Sequence, residues 1–326
     1  MRGMRCHLSR AVAIAHVATR LLLVILSLQA VAVGADAPRI WLLSTRCVDG
    51  FRNARDATAQ IEYWRIGQCG DQQPADAEEF RSCDSVEMPT VVFVHGNNTA
   101  ASEAVTKGLY VYASICSQVG DKPFRFVIWS WPADRLRRIA GNTRMKAVQC
   151  DVESYYLAAW LDGLRPGTKV CLVGHSFGPR IIAGALHLLG GGELACRRLP
   201  EKTVAAWAGG KRNPLRAVLL AGALDADWLA AGSRNGRALS LSDQVLITCN
   251  EGDRVLRWYP HLWSRHGPQA LGLVGPCGLD AADNVEVVDV RGAVGRIHDW
   301  RGYASASEVC CRWAHYTFLE ETPSPP

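Results

Sequence analysis

Read for its alternation of apolar and polar positions, the chain breaks into short apolar runs separated by longer stretches of helical period. Thr90-Val-Val-Phe-Val94, Phe124-Arg-Phe-Val-Ile-Trp129 and Val170-Cys-Leu-Val173 are nearly continuous apolar runs, the pattern of strands buried on both faces. Ala217-Val-Leu-Leu-Ala221, Gln244-Val-Leu-Ile-Thr248 and Val285-Glu-Val-Val-Asp-Val290 predict three more. Helical spacing runs through Ala104, Leu109, Val111, Tyr112 and Ile115. It returns from Asp134 to Leu164, with a break expected at Gly141-Asn142, and again through Ile181, Ile182, Ala185, Leu186 and Leu189 until Gly190-Gly-Gly192 ends it. Earlier, Arg39-Ile-Trp-Leu-Leu-Ser-Thr45 and Gln60-Ile-Glu-Tyr-Trp-Arg-Ile66 read as an antiparallel pair at a sheet edge, joined through Asp49-Gly50. The segments 67–89 and 193–214 carry no clear period and read as a surface loop and as a loop or small lid. Strands alternating with helices predict an α/β fold: a mostly parallel central sheet, helices on both faces and an antiparallel N-terminal edge.

The first 35 residues stand apart. Four arginines (Arg2, Arg5, Arg10, Arg20) precede the apolar run Leu21 to Val33, and Val33-Gly-Ala35 offers small residues for cleavage before the polar Asp36-Ala-Pro38. This is the pattern of a secretory signal peptide at 1–35, and the run is short of the roughly 20 residues that a spanning helix needs. The expectation is a secreted or periplasmic protein with no stable membrane anchor and a single domain over 36–326. No internal repeat or low-complexity block divides that domain, and only a Pro-rich tail at 323–326 departs from it.

Charge adds an exclusion. The whole chain has 36 basic and 31 acidic residues; removing four arginines and no acids leaves 32 and 31, about +1. Such a balance gives no reason to expect a nucleic-acid partner. Of twelve cysteines, Cys6 leaves with the leader, so eleven remain for an oxidising compartment, where most would pair as disulfides. An odd number leaves at least one free thiol, and Cys171 inside an apolar strand is the natural buried candidate. Adjacent Cys310 and Cys311 are unsuited to bridging each other. No Cys-x-x-Cys pair occurs, so a metal site is not expected.

The candidate chemistry lies where the Val170 strand is cut off by Gly174-His-Ser-Phe-Gly178 and followed at once by a helix. A serine on such a sharp turn has its hydroxyl held clear of the sheet edge, which makes Ser176 the candidate nucleophile. Its hydroxyl needs a base to take its proton, and the base needs an orienting carboxylate. Asp253, in Cys249-Asn-Glu-Gly-Asp-Arg254 just past a strand, is the favoured acid; Asp225 and Asp227, in Gly222-Ala-Leu-Asp-Ala-Asp-Trp228, are the alternatives, with Asp225 ahead, although either could simply cap the helix that begins at Trp228. The base should follow the last strand, which leaves His315 in Arg312-Trp-Ala-His-Tyr-Thr-Phe318 and His298 in Arg296-Ile-His-Asp-Trp300. His315 is favoured because a loop could present it and a terminal helix anchor it. The backbone amides of Phe177 and Asn97 are the expected oxyanion donors, and His95 reads as a buttress of the Asn97 loop.

In combination, Val-Phe-Val-His-Gly-Asn at 92–97, Gly-His-Ser-Phe-Gly at 174–178 and the order Ser176, Asp253, His315 resemble the α/β-hydrolase fold. More narrowly, Ile40-Trp-Leu-Leu-Ser-Thr-Arg46, Trp129-Ser-Trp-Pro132 and Asp253-Arg-Val-Leu256 resemble a branch of predicted bacterial serine hydrolases. The resemblance implies an esterase, lipase or related acyl hydrolase with a Ser-His-Asp triad, no cofactor, and a small-molecule or lipid ester as substrate. An acyltransferase or amidase using the same three residues, and a non-catalytic binding module on the same fold, are the alternatives. No large cap is present, only short lid segments at 193–214 and 257–284. Trp131, Phe177, Trp258, Tyr259 and Trp263 are candidates to line an acyl site, and Arg135, Arg137 and Arg138 to face an anionic group or simply solvent.

Overall fold

The computed structural model describes residues 39–48, 54–67, 70–135, 139–209, 212–262, 264, 266–279 and 282–320. The expected signal peptide, Asp49-Gly50, Cys69, Arg137, Arg138, Trp263 and the Pro-rich tail lie outside those residues. No described helix is long and apolar enough to cross a membrane. Among the described residues nine strands form one sheet: β1 Ile40–Ser44, β2 Glu62–Ile66, β3 Gln72–Ala75, β4 Thr90–Val94, β5 Arg125–Ser130, β6 Val170–His175, β7 Leu215–Leu220, β8 Gln244–Cys249 and β9 Val285–Asp289. The helices are α1 Ala54–Ala59, α2 Ala77–Ser82, α3 Ala101–Val119, α4 Ile139–Asp162, α5 Phe177–Leu189 and α6 Glu201–Ala208. Short ones follow: α7 Ala238–Leu241, α8 Leu271–Val274, α9 Arg291–Val294, α10 Trp300–Ala304, α11 Ser307–Cys310 and α12 Trp313–Tyr316.

The strand order is β3-β2-β1-β5-β4-β6-β7-β8-β9. From β5 to β9 every neighbouring pair is parallel, whereas β1–β2 and β2–β3 are antiparallel, which is the expected N-terminal edge. Side chains of β4, β5 and β6 point alternately to the two faces, yet every position in all three strands is buried. Both faces must therefore be covered. On one side α4 packs along α5; α3 packs instead with the C-terminal helices α10, α11 and α12. Each large apolar side chain so removed from water contributes about 1.5–3 kcal/mol, which is why the continuous apolar runs were legible as central strands.

Strand order also fixes where a site can form. After β4 the chain goes to β5 on one side and then returns to β6 on the other, so the connections leaving the carboxyl ends of β4 and β6 diverge. A crevice opens at such a switch point. Register places Val94 opposite Gly174, which brings the loop after β4 level with the turn after β6.

Three expectations about elements are corrected. The supposed loop 67–89 contains β3 and α2, and the segment 193–214 contains α6. The helix over 139–162 is continuous, with no break at Gly141-Asn142; a glycine in a helix interior costs only about 1 kcal/mol, less than a 24-residue helix gains from packing on α5. Disulfide pairing is also absent among the described residues, where ten cysteines are free, and Cys150 and Cys171 are fully buried.

Candidate active site

Ser176 occupies the turn between β6 and α5 with φ 60° and ψ −106°, a left-handed conformation that disfavours any side chain. Two backbone hydrogen bonds hold it there: its amide donates to the Leu220 carbonyl (3.0 Å), and its own carbonyl accepts from the Ala223 amide (2.9 Å). The flanking glycines are set by close approach. A Cβ on Gly178 would lie 2.1 Å from the Val94 carbonyl oxygen, and one on Gly174 would lie 2.6 Å from the Pro179 nitrogen. Small residues let the helix start directly on top of the strand, and the strain of about 1–3 kcal/mol is held by the sheet beneath.

Asp253 follows β8 and is 0% exposed. Its Oδ1 accepts from the amides of Val255 (2.9 Å) and Leu256 (3.0 Å), so the carboxylate starts the 3-10 helix Leu256–Leu262 and is fixed by it. Its Oδ2 accepts from His298 Nδ1 (2.7 Å) and from the Tyr303 hydroxyl (2.7 Å). Burial pushes this carboxyl up, but the hydrogen bond and charge of His298, the Tyr303 hydroxyl and the Leu256 amide outweigh it and hold it below the usual carboxylate range. The far nitrogen of the same imidazole, His298 Nε2, stands 2.9 Å from Ser176 Oγ. Serine, imidazole and carboxylate thus form an unbroken line, and the imidazole side chain is 12% exposed, open to a reactant.

This arrangement corrects the favoured histidine. His315 meets Gln244, the first residue of β8, and Glu320, while its carbonyl accepts from Arg216 near the start of β7. Those are the amino ends of the strands. Ser176 sits at the carboxyl ends, one strand length or about 15–20 Å away. The helices α10 to α12 carry the chain from one rim to the other, so a histidine before them remains at the upper rim and one after them does not. Asp225, the alternative acid, instead accepts from the Tyr259 hydroxyl (2.5 Å), and Arg180 reaches that same hydroxyl (3.4 Å).

The loop after β4 runs against Ser176: a Cβ on Gly96 would lie 2.8 Å from Ser176 Cβ. Asn97 follows it, and Phe177 opens α5, whose first-turn amides have no partner within the helix. The loop is braced from behind. The Trp131 amide donates to His95 Nε2 (3.3 Å), which leaves the ring proton on Nδ1 to be donated to the Gly96 carbonyl (2.9 Å). Burial lowers the His95 pKa to about 3, so the ring is neutral. Arg46, at the end of β1, donates to Ser130 Oγ (2.8 Å), to Asp134 (2.6 Å) and to the Thr99 carbonyl (2.9 Å). The Ser-Thr-Arg and Trp-Ser-Trp-Pro segments thereby clamp one loop.

Trp131 is fully buried, its ring stacked on His95 (5.7 Å, 11°) and its indole nitrogen donating to the His95 carbonyl (2.8 Å), so it supports the loop and presents no surface to a substrate. Tyr259 is also buried, with its hydroxyl engaged by Asp225. Trp258, by contrast, is 70% exposed, beside His261. Sequence reasoning missed Tyr303, Asn250 and Arg46. Asn250 and Arg46 stand in segments already singled out, but nothing in the pattern around Tyr303 marks it. Among the described residues, no group of three or more His, Cys, Asp or Glu side chains is placed to hold a metal ion.

Several solved structures are similar to the chain. The catalytic core domain of acetyl xylan esterase from Trichoderma reesei is 14% identical, with 72% of this chain and 100% of that one covered and a TM-score of 0.37. A thermostable esterase from Pseudomonas putida ECU1011 is 15% identical (80% and 77% covered, TM-score 0.32), and the carboxylesterase CesB from Bacillus subtilis is 11% identical (72% and 85% covered, TM-score 0.31). Among curated proteins no relative matches. The family described as "Alpha/beta hydrolase of unknown function (DUF900)" matches residues 76–258, just over half of the chain and the stretch that holds the β4 loop, the Ser176 turn and Asp253. The chain belongs to this α/β-hydrolase family.

Proposed function

We propose that the protein is a serine hydrolase of carboxylic esters, working through Ser176, His298 and Asp253. The observation that carries this reading is the hydrogen-bonded line from Ser176 Oγ through the His298 ring to Asp253, at 2.9 and 2.7 Å. As Ser176 Oγ attacks the ester carbonyl, its proton passes to His298 Nε2, and the carboxylate of Asp253 stabilises the imidazolium that forms. Charge then develops on the former carbonyl oxygen, and the amides of Asn97 and Phe177 are the donors suited to it. Collapse of the tetrahedral intermediate breaks the bond to the leaving oxygen, which takes the proton from His298 and departs as an alcohol. Water, deprotonated by the same imidazole, attacks the acyl-enzyme, releasing the acid and returning the proton to Ser176. The exposed Trp258 is the aromatic side chain proposed to meet the apolar part of a substrate.

The leader pattern at 1–35 supports export to a secreted or periplasmic location, where surface cysteines such as Cys47 and Cys277 meet an oxidising medium. The test of activity is hydrolysis of a short-chain nitrophenyl ester by the wild type and by Ser176→Ala. Turnover is expected to fall by at least about 10³-fold with thermal unfolding unchanged, since the serine is the only covalent participant. Turnover retained in Ser176→Ala would remove the assignment.

A further inference from the structure

We infer that Tyr303, held by Asn250, is a positioning residue that sets how much of the Asp253 charge faces His298. The inference rests on the triad reading given above. Asp253 Oδ2 has two donors at the same distance, His298 Nδ1 and the Tyr303 hydroxyl, each at 2.7 Å, so the two compete for one oxygen's charge. A fully buried phenol has no water to turn to. Its hydroxyl in turn accepts from Asn250 Nδ2 (3.2 Å), which fixes the direction in which it donates. Burial and the neighbouring Asp253 charge both push the proton affinity of this phenol up, so it stays a donor throughout the range in which an esterase works.

Asn250 ties the arrangement to the backbone. It is fully buried at the end of β8; its Nδ2 also donates to the Gly295 carbonyl (2.9 Å), and its Oδ1 accepts from the Gly252 amide (2.9 Å). One side chain therefore spans the acid loop at 250–253, the loop that carries His298, and α10 with Tyr303. The other titratable and charged groups around His298 are His175 of β6, whose ring is 5.0 Å away, and Asp299 and Arg301 next to it in the chain, with Lys107 of α3 beyond them, acting on His175, Asp299 and Arg301. His175 is buried and neutral, and Asp299 is paired with Arg301 (2.9 Å). That leaves the Tyr303 hydroxyl as the donor on the triad carboxylate besides the base itself and the two backbone amides.

Removing the phenol leaves Oδ2 to the imidazole alone, which favours the imidazolium. The base then loses its proton only at higher pH. The experiment is the pH dependence of inactivation of the full chain by a fluorophosphonate. In Tyr303→Phe the acid limb should move up by about one pH unit, or about tenfold in rate at a fixed pH on that limb. With 3-fluorotyrosine at position 303, which keeps the shape and donates more strongly, the limb should move down; this second variant holds the test even where Tyr303→Phe folds poorly. Tyr316→Phe, whose hydroxyl meets Glu286 (3.2 Å) far from the triad, should leave the limb in place. A wild type that reacts while neither substitution at 303 moves its limb overturns the inference alone. A wild type that does not react with the probe overturns the triad reading and the inference with it.

Discussion

At the scale of single residues, the site shows what burial does to groups that can ionise. Asp253 is as buried as any side chain in the molecule, yet four donors keep it charged. Glu153 of α4 is equally buried but less well supplied: Thr45 Oγ1 donates to it (2.7 Å), and burial pushes its carboxyl up to about 8 against the pull of Thr45, Gln149, Lys146 and Arg46. Its folded pKa lies above its ordinary 4.5, so the folded state holds a proton that the unfolded chain releases. The stability this contributes is complete below about 4.5 and is lost as pH rises through about 8. Denaturant unfolding of Glu153→Gln at a series of pH values should therefore show a flatter decline than the wild type, the two curves diverging over that window by on the order of a few kcal/mol. Parallel curves would mean that Glu153 is ionised in the folded protein.

At the scale of elements, the β6–turn–α5 unit was legible because each of its requirements leaves a mark in the sequence. Close approach demands Gly174 and Gly178, and the apolar strand and the helical period on either side say which way the chain runs. Gly178→Ala should put its methyl against the Val94 carbonyl and force α5 off β4. The expected outcome is a loss of more than about 2 kcal/mol in denaturant unfolding together with loss of the proposed esterase activity. Unchanged stability and activity would mean that the turn is looser than its geometry indicates. A strand that buries no apolar face was not legible. β3 is exposed along most of its length and contains Pro74; only its backbone pairing with β2 makes it a strand. α2 did leave a signal, since Asp76 caps it by accepting from the amides of Glu78 and Glu79, but that acid lies among polar residues that read as a loop.

At the scale of the whole molecule, the chain order serine, aspartate, histidine of the hydrogen-bonded line was readable, and so was the placing of that histidine beyond the last strand. Which histidine it is depends on where the chain crosses from one rim of the sheet to the other, and that crossing is made by the tertiary packing of α10 to α12 on α3. No local pattern encodes it. Both His298 and His315 sit beside aromatic and basic residues, and only the assembled sheet puts His298 at the carboxyl ends and His315 at the amino ends. The backing of the β4 loop by Arg46 and Trp131 is likewise a product of strand order, because β1 and β5 become neighbours only in the folded sheet. The central claim is that His298 activates Ser176, and the most direct measurement is the rate at which a fluorophosphonate labels the full chain, with the modified residue mapped by mass spectrometry. The label should map to Ser176, with the rate falling by at least about 10³-fold in His298→Ala and staying within a few-fold of wild type in His315→Ala. Labelling at another residue, or an undiminished rate in His298→Ala, would contradict the account.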